Sequence, residues 1–169
     1  MRCFIGIKLE NRFDKKIKNI NQFLYQNGVR GNFTDINNIH LTLAFIGEIN
    51  EETAFKIKVE IEKIDISDLY LEVNCIKTFK SYLILEVAKT EKLLQVQNEV
   101  INVLKKKRVS FDEKEYYPHI TLVRKCAGVR DLYLNEINKN INFKSIVSNV
   151  FIFESKRREK DNALVYIAL

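Results

Sequence analysis

Two stretches decide the interpretation of this sequence: NNIHLTLAFIGE, from Asn37 to Glu48, and YYPHITLVRK, from Tyr116 to Lys125. Each contains a histidine, an apolar residue, a threonine and a leucine, in that order. The chain has only two histidines, His40 and His119, and each one begins such a tetrad. Because both histidines of the chain lie in the same duplicated pattern, the sequence indicates that they share a role.

Both tetrads lie in runs of β-branched and apolar residues that are typical of strands. Side chains alternate across a strand. His40 and Thr42 therefore share one face of their strand, and His119 and Thr121 share one face of theirs. The apolar residues between them can join the core. If the two strands meet at a cleft, two imidazoles and two hydroxyls come together.

This set of side chains suits one kind of chemistry. An imidazole has an unperturbed pKa of about 6.5, and two of them can act as acid and base in one turnover. Threonine hydroxyls can donate hydrogen bonds to phosphate oxygens without adding charge. Hydrolysis of a phosphodiester needs a proton taken from water and a proton given to the leaving oxygen. We therefore predict that His40, Thr42, His119 and Thr121 are catalytic.

Other interpretations of the histidines compete with catalysis. A single His-x-Thr on a strand is usually ordinary surface or a core histidine with satisfied hydrogen bonds. The duplication is what favours catalysis. Two histidines with Cys126 or an aspartate could supply three zinc ligands, but no HxxxH or CxxC spacing supports such a site. We expect that the reaction needs no metal and no cofactor.

Length, composition and charge limit the class of protein. The chain has 169 residues, of which 46% are hydrophobic, so we expect a single domain over residues 1–169. The net charge is +6, and basic blocks lie at Lys105–Arg108 and Ser155–Lys160. This excess favours anionic partners, with nucleic acid first among them. Solubility is the alternative explanation of the charge.

Cysteine usage and hydropathy bear on location. The three cysteines are odd in number and widely spaced, which favours buried, reduced thiols in a reducing compartment. No apolar run approaches the roughly 20 residues of a spanning helix. The N-terminal stretch MRCFIGIKLE alternates like a strand and does not resemble a signal peptide. We expect a cytoplasmic protein without a membrane partner.

Hydrophobic periodicity predicts helices over 13–28, 51–64, 91–108 and 131–140. Strands are predicted over 2–9, 39–47, 69–79, 81–88, 116–124, 142–155 and 163–169. The stripe of the third helix contains Leu93, Val96, Val100 and Val103, and Lys80-Ser81 is the predicted turn of a hairpin. This order predicts an α+β fold with a mainly antiparallel sheet. A helix precedes each tetrad, which suggests two similar lobes that face each other.

With their flanking residues, the tetrads resemble the two-histidine phosphoesterase superfamily. Within it, the chain is most similar to the bacterial and archaeal RNA 2′,3′-cyclic phosphodiesterases, historically called 2′-5′ RNA ligases. The resemblance includes the opening strand MRCFIGIKL, the segment Phe45–Glu48 after the first tetrad, and Pro118 and Arg124 around the second. The late stretch FIFESK also matches, and the tail beyond Ser155 departs from the family pattern.

The resemblance implies a bilobal α+β fold, with two lobes of mainly antiparallel sheet and flanking helices around a cleft that carries both tetrads. It also implies a reaction, the opening of a 2′,3′-cyclic phosphate at an RNA end to leave a 2′-phosphate. By this resemblance His40 would protonate the departing 3′ oxygen and His119 would activate the water, whereas the residues alone leave open which histidine is the acid and which the base. Thr42 and Thr121 would hold the non-bridging oxygens. The partner would be such an RNA end, with tRNA fragments among the candidates, and the protein a monomer.

Arg124 is a candidate phosphate- or RNA-binding residue, because the family motif has a basic residue at this position. In a regular strand, Arg124 would share a face with Leu122 and point away from Thr121. It can reach the phosphate only if the strand twists or carries a bulge. An ordinary solvated strand end is the alternative role for this arginine.

Two other functions fit the same residues. One is a phosphodiesterase that acts on small cyclic nucleotides or on 2′-5′ oligonucleotides. The other is a non-catalytic protein that binds RNA ends. Binding alone does not call for two titratable groups, which favours an enzyme, and the basic excess favours RNA over small substrates.

Overall fold

The computed structural model describes all 169 residues and contains nine strands and four α-helices. The strands are β1 (Arg2–Ile7), β2 (Arg30–Phe33), β3 (Leu41–Glu48), β4 (Tyr70–Phe79), β5 (Tyr82–Val87), β6 (His119–Ala127), β7 (Phe143–Ile146), β8 (Phe151–Arg157) and β9 (Leu164–Ala168). The helices are α1 (Asp14–Gln26), α2 (Glu51–Ile61), α3 (Glu91–Lys106) and α4 (Asp131–Asn138).

Most predicted elements are confirmed, with local differences. In α3 the fourth buried residue of the stripe is Leu104 and not Val103. At 100° per residue, Leu104 lies nearer the centre of the face set by the first three residues. β2 was not predicted, because its sequence, RGNF, shows no alternation, and three of its four residues are exposed. It forms through pairing with β6.

All strand pairs are antiparallel, in the order β7-β4-β5-β6-β3-β1-β8-β9, with β2 beside β6. We call β1, β3, β8 and β9 the first half of the sheet, and β2, β4, β5, β6 and β7 the second half. The halves are joined by one strand pair, β3 with β6, through the single residue pair Leu41 and Ile120. The predicted α+β fold with an antiparallel sheet is confirmed.

The helices are distributed between the halves in a way that the sequence did not indicate. α3 packs on β3 and α2 packs on β8, so both lie on the first half. α1 lies beside β7 and α4 of the second half, where Lys16 covers the Phe143 ring and Phe23 meets Tyr133. The helix before each tetrad thus packs on the half opposite to its own strand. One cluster of 37 buried residues includes both halves, and we propose that they fold as one unit.

None of the helices is both long enough and apolar enough to cross a membrane. All three cysteines are free thiols. The prediction that they are buried is correct for Cys3 and wrong for Cys75 and Cys126, which are partly exposed. Cys75 lies at an irregularity in the pairing of β4 with β5, and Cys126 lies next to the end of β6.

Candidate active site

The two tetrads meet where the halves of the sheet join. Leu41 and Ile120 lie opposite each other, and both are fully buried. Opposite residues of an antiparallel pair share a face, and the face alternates along each strand. The histidine and threonine that flank each of them therefore project from the other face. There they line one cleft of about 950 Å³: His40, Thr42, His119 and Thr121.

Each imidazole is held by the main-chain carbonyl of the residue two positions earlier. His40 Nδ1 lies 2.6 Å from the Asn38 oxygen, and His119 Nδ1 lies 2.7 Å from the Tyr117 oxygen. A carbonyl oxygen can only accept a hydrogen bond, so Nδ1 carries the hydrogen in both rings. Nε2 is consequently the nitrogen of each ring that is available to exchange a proton with a substrate.

His40 is enclosed by aromatic rings. The ring of Phe4 lies 4.7 Å from it, and the ring of Tyr166 meets it edge-on at 5.1 Å. Burial lowers the pKa of His40 from 6.5 to about 4, and the positive charge of Arg124 also acts to lower it. The ring is therefore neutral at pH 7 in the free protein. In that state the Thr42 hydroxyl, 3.0 Å away, donates a hydrogen bond to Nε2.

The His119 imidazole packs against a different set of side chains. The ring of Tyr117 stacks on its imidazole at 5.5 Å, and Phe79 lies 5.8 Å away. The Tyr117 hydroxyl donates to a Glu86 carboxylate oxygen at 2.6 Å, and Lys77 pairs with the same carboxylate. Lys77 also holds the pKa of Glu86 below its ordinary value. The ion pair of Lys77 and Glu86 thus holds the hydroxyl end of Tyr117, whose ring packs on His119.

Both tetrad strands carry a β-bulge directly after the threonine. The pairing of β3 with β1 skips Leu43, and the pairing of β6 with β5 skips Leu122. One extra residue turns the following side chains to the other face of the strand. Phe45 and Arg124, each five residues after its histidine, therefore line the cleft. The bulge that Arg124 needed to reach this side is present.

Arg124 keeps its charge available to a ligand. Its Nη2 donates to the Tyr166 hydroxyl at 3.1 Å, and the arginine takes part in none of the ion pairs of the structure. The guanidinium group therefore lies in the cleft without a neutralising carboxylate. Electrostatically, this is a position that attracts an anion.

The cleft contains other residues that were not predicted from the sequence. Phe45 was noted as part of the motif but received no role, and it is 55% exposed. Tyr166 lies in the tail that departs from the family pattern, and no local pattern places it beside His40. Lys156 and Arg157 also line the cleft. The basic block Ser155–Lys160 was the signal for these two, although its position was not predictable.

The burial of His40 predicts a pH-dependent stability. Because its pKa is about 4 in the folded protein and 6.5 unfolded, the unfolded chain takes up the proton first on acidification. The contribution to the free energy of unfolding is complete above pH 6.5 and falls by roughly 3 kcal/mol as the pH drops to about 4. Urea unfolding at pH 7 and pH 4 should show this loss in the wild type and lack it in His40→Gln. An equal pH dependence of both proteins would contradict the prediction.

Solved structures share this architecture. E. coli LigT complexed with 3′-AMP superposes with a TM-score of 0.78 at 19% identity, over 99% of this chain and 94% of that one. The structure of TT0787 of Thermus thermophilus gives a TM-score of 0.77 at 17% identity, over 100% of this chain and 95% of that one. The fold is therefore LigT-like. No protein-family profile matches the chain.

The LigT-like fold, with a His-x-Thr pair at β3 and another at β6 lining one cleft, agrees with the resemblance to the two-histidine phosphoesterases that the tetrads indicated. Two curated relatives are RNA 2′,3′-cyclic phosphodiesterases. The protein of Thermotoga maritima is 29% identical in an alignment that covers 73% of this chain and 70% of the relative. The protein of Methanocaldococcus jannaschii is 28% identical over 73% of this chain and 71% of the relative.

Proposed function

We propose that this protein hydrolyses 2′,3′-cyclic phosphate ends of RNA to 2′-phosphomonoesters. The observation that carries the proposal is the pair of imidazoles in one cleft, each with Nδ1 bonded to a carbonyl and Nε2 left for proton transfer. The activity of the two curated relatives supports the same reaction. The expected partner is an RNA end, with tRNA fragments among the candidates. One chain supplies both histidines, so we propose that it acts as a monomer. The three free thiols favour a reducing compartment, and we propose the cytoplasm.

In the proposed reaction, His119 Nε2 accepts a proton from the water that attacks phosphorus. A phosphorus–oxygen bond forms to that water, and the bond to the 3′ oxygen breaks. The Nε2–H of His40 gives its proton to the departing oxygen. The products are a 2′-phosphate and a free 3′ hydroxyl, so atoms and charge balance without a further reactant.

The donor role requires His40 to be protonated, whereas burial lowers the pKa of this imidazole and favours its neutral form. A phosphodiester placed against Nε2 brings a negative charge, which raises the pKa of an adjacent imidazole. Substrate binding and proton uptake are therefore linked in this mechanism. Once Nε2 holds the proton, the Thr42 hydroxyl no longer needs to donate to it and can turn to a phosphate oxygen.

The remaining cleft residues would bind the other parts of the substrate. Thr121 would donate to the second non-bridging oxygen, opposite Thr42. Arg124 would contribute a positive charge to the same phosphate, since no carboxylate neutralises it. The exposed ring of Phe45 offers an apolar face on which a nucleobase can stack, and such stacking tolerates any base.

Purified protein should be tested on 2′,3′-cyclic phosphates of mononucleotides and oligonucleotides, with identification of the phosphomonoester formed. We expect a 2′-phosphate product, faster turnover of oligonucleotides at low salt, and activity that persists in EDTA. Loss of activity in EDTA that is restored by zinc or magnesium would overturn the two-histidine mechanism. Binding of RNA ends without hydrolysis would favour the non-catalytic function. Hydrolysis restricted to mononucleotides or 2′-5′ oligonucleotides would favour the small-substrate function.

Replacing the cleft threonines should have a moderate effect. Thr42→Ala and Thr121→Ala each remove one hydrogen bond to a charged oxygen, worth about 1.5–3 kcal/mol. We expect kcat/KM for a 2′,3′-cyclic phosphate to fall by about 10- to 100-fold for each. Thr78→Ala is the matched control, because Thr78 is an exposed strand threonine outside the cleft. If both cleft variants behaved like this control, the threonines would have no role in phosphate binding.

A further inference from the structure

The C-terminal strand β9 is attached to the first tetrad by a side chain. The Asn38 amide nitrogen donates to the Leu164 carbonyl at 2.8 Å, and the Tyr166 main-chain N–H donates to the Asn38 amide oxygen at 3.2 Å. The main-chain oxygen of Asn38 accepts the hydrogen bond of His40 Nδ1. Asn38 is only 8% exposed, so this attachment is sheltered from water. β9 and His40 are thus fixed to the same residue.

In this position, the Tyr166 side chain contacts residues of both tetrad strands. Its ring meets His40 edge-on at 5.1 Å and Phe4 edge-on at 4.9 Å. Its hydroxyl lies 3.1 Å from Nη2 of Arg124, which belongs to the second half of the sheet. One side chain therefore contacts the imidazole of the first half and the cleft cation of the second.

The Tyr166 hydroxyl can hold the Arg124 guanidinium in place without neutralising the positive charge of the arginine. A guanidinium can only donate, so the Tyr166 oxygen is the acceptor and its own hydrogen stays available. A carboxylate in the same place would fix Arg124 equally well but would neutralise it. Arg124 has further N–H donors, and its side chain lies at the cleft with His40 and His119.

We propose that Tyr166 is a positioning residue that aims Arg124 at the substrate phosphate. The proposal rests on the function proposed above and adds a residue to it. Asn38 and β9 set the position of the tyrosine ring, and the hydroxyl sets the position of the guanidinium. The hydroxyl acts through Arg124, and the ring separately shields His40 from water.

The test is a double-mutant cycle of Tyr166→Phe and Arg124→Ala. Tyr166→Phe removes only the hydroxyl, so the ring stays on His40. We expect KM for a 2′,3′-cyclic phosphate to rise by about tenfold, with little change in kcat and no change in the pH profile. In the Arg124→Ala background, the same substitution should change KM by less than about twofold, because the hydroxyl has lost its partner. Tyr166→Ala should in addition shift the pH-profile limb of His40 upward, since water then reaches the imidazole.

Tyr70→Phe is the matched control, because Tyr70 is exposed and lies outside the cleft. Two results would overturn the proposal: a Tyr166→Phe protein with wild-type KM, or an equal loss in both backgrounds. A purely structural role would lower the unfolding temperature and act independently of Arg124. The same double-mutant cycle can be measured without catalysis, as the affinity for 2′-AMP by calorimetry. This measurement tests the role of Tyr166 even if the wild type hydrolyses no cyclic phosphate. An inactive wild type would refute the proposed function and not the role of Tyr166.

Discussion

Replacing either histidine with alanine is expected to lower kcat for a 2′,3′-cyclic phosphate by about 10²–10⁴. In both rings Nδ1 is bonded to a main-chain carbonyl, so in the proposed mechanism Nε2 is the atom that transfers the proton. The chain has no third histidine. His40→Ala should lose the proton given to the 3′ oxygen, and His119→Ala should lose the proton taken from water.

The double variant should be little worse than the worse single variant, because groups that act as a unit are not additive. The wild-type pH profile of kcat/KM should be bell-shaped, with limbs that belong to the pair of imidazoles. Each single variant should lose one limb. Circular dichroism and the unfolding temperature establish that the variants are folded, and Tyr70→Ala serves as an aromatic control outside the cleft. A folded His119→Ala protein with near-normal turnover would refute the pair mechanism.

KM for an oligonucleotide end should rise steeply with salt. Five basic side chains line the cleft, Arg2, Lys114, Arg124, Lys156 and Arg157, against two acidic ones, Glu48 and Asp112. If the net excess of three corresponds to three phosphate contacts, log K falls by about 0.7 per contact for each tenfold rise in salt. Between 50 mM and 500 mM salt, KM should rise about 100-fold. A mononucleotide substrate carries one phosphate and should show a much smaller change.

A charge variant makes this test residue-specific. Arg157→Gln should lower the salt slope for the oligonucleotide by about 0.7 and leave the mononucleotide nearly unchanged. Lys63→Gln removes the same charge from a site outside the cleft and should not alter the slope. Equal salt dependence for both substrates would favour the small-substrate function and would show that the basic surface does not contact RNA.

Strand alternation was sufficient to pair His40 with Thr42 and His119 with Thr121, and the duplicated pattern suggested that the two pairs face each other. The pairing of β3 with β6, which brings them into one cleft, became visible only in the structure. The sequence was not sufficient for Arg124 and Phe45. A bulge is decided by the hydrogen bonds that a strand makes with its neighbours, and β6 looks like a regular strand on its own. The family motif indicated that Arg124 matters, and the physical reason became visible only with the register.

Contacts between distant parts of the chain were beyond the sequence. Asn38 and Tyr166 are 128 residues apart, and no local pattern joins them. Similarly, the helix before each tetrad suggested that helix and strand form one lobe. In the structure α3 packs on β3 and not on its own half, because the packing of apolar faces, and not chain order, decides which layers meet.

The two bonds from Nδ1 to a carbonyl have a consequence for the catalytic cycle. In the proposed reaction His40 gives away its proton and His119 gains one, so the next turnover needs His119 deprotonated and His40 protonated again. Neither ring can return the proton through its back side, because that nitrogen is already protonated and bonded to main chain. The proton must therefore move between the two Nε2 atoms, either within the cleft or through bulk water that enters after the product leaves. The cleft is thus both the place of reaction and the route by which the enzyme regains its starting state.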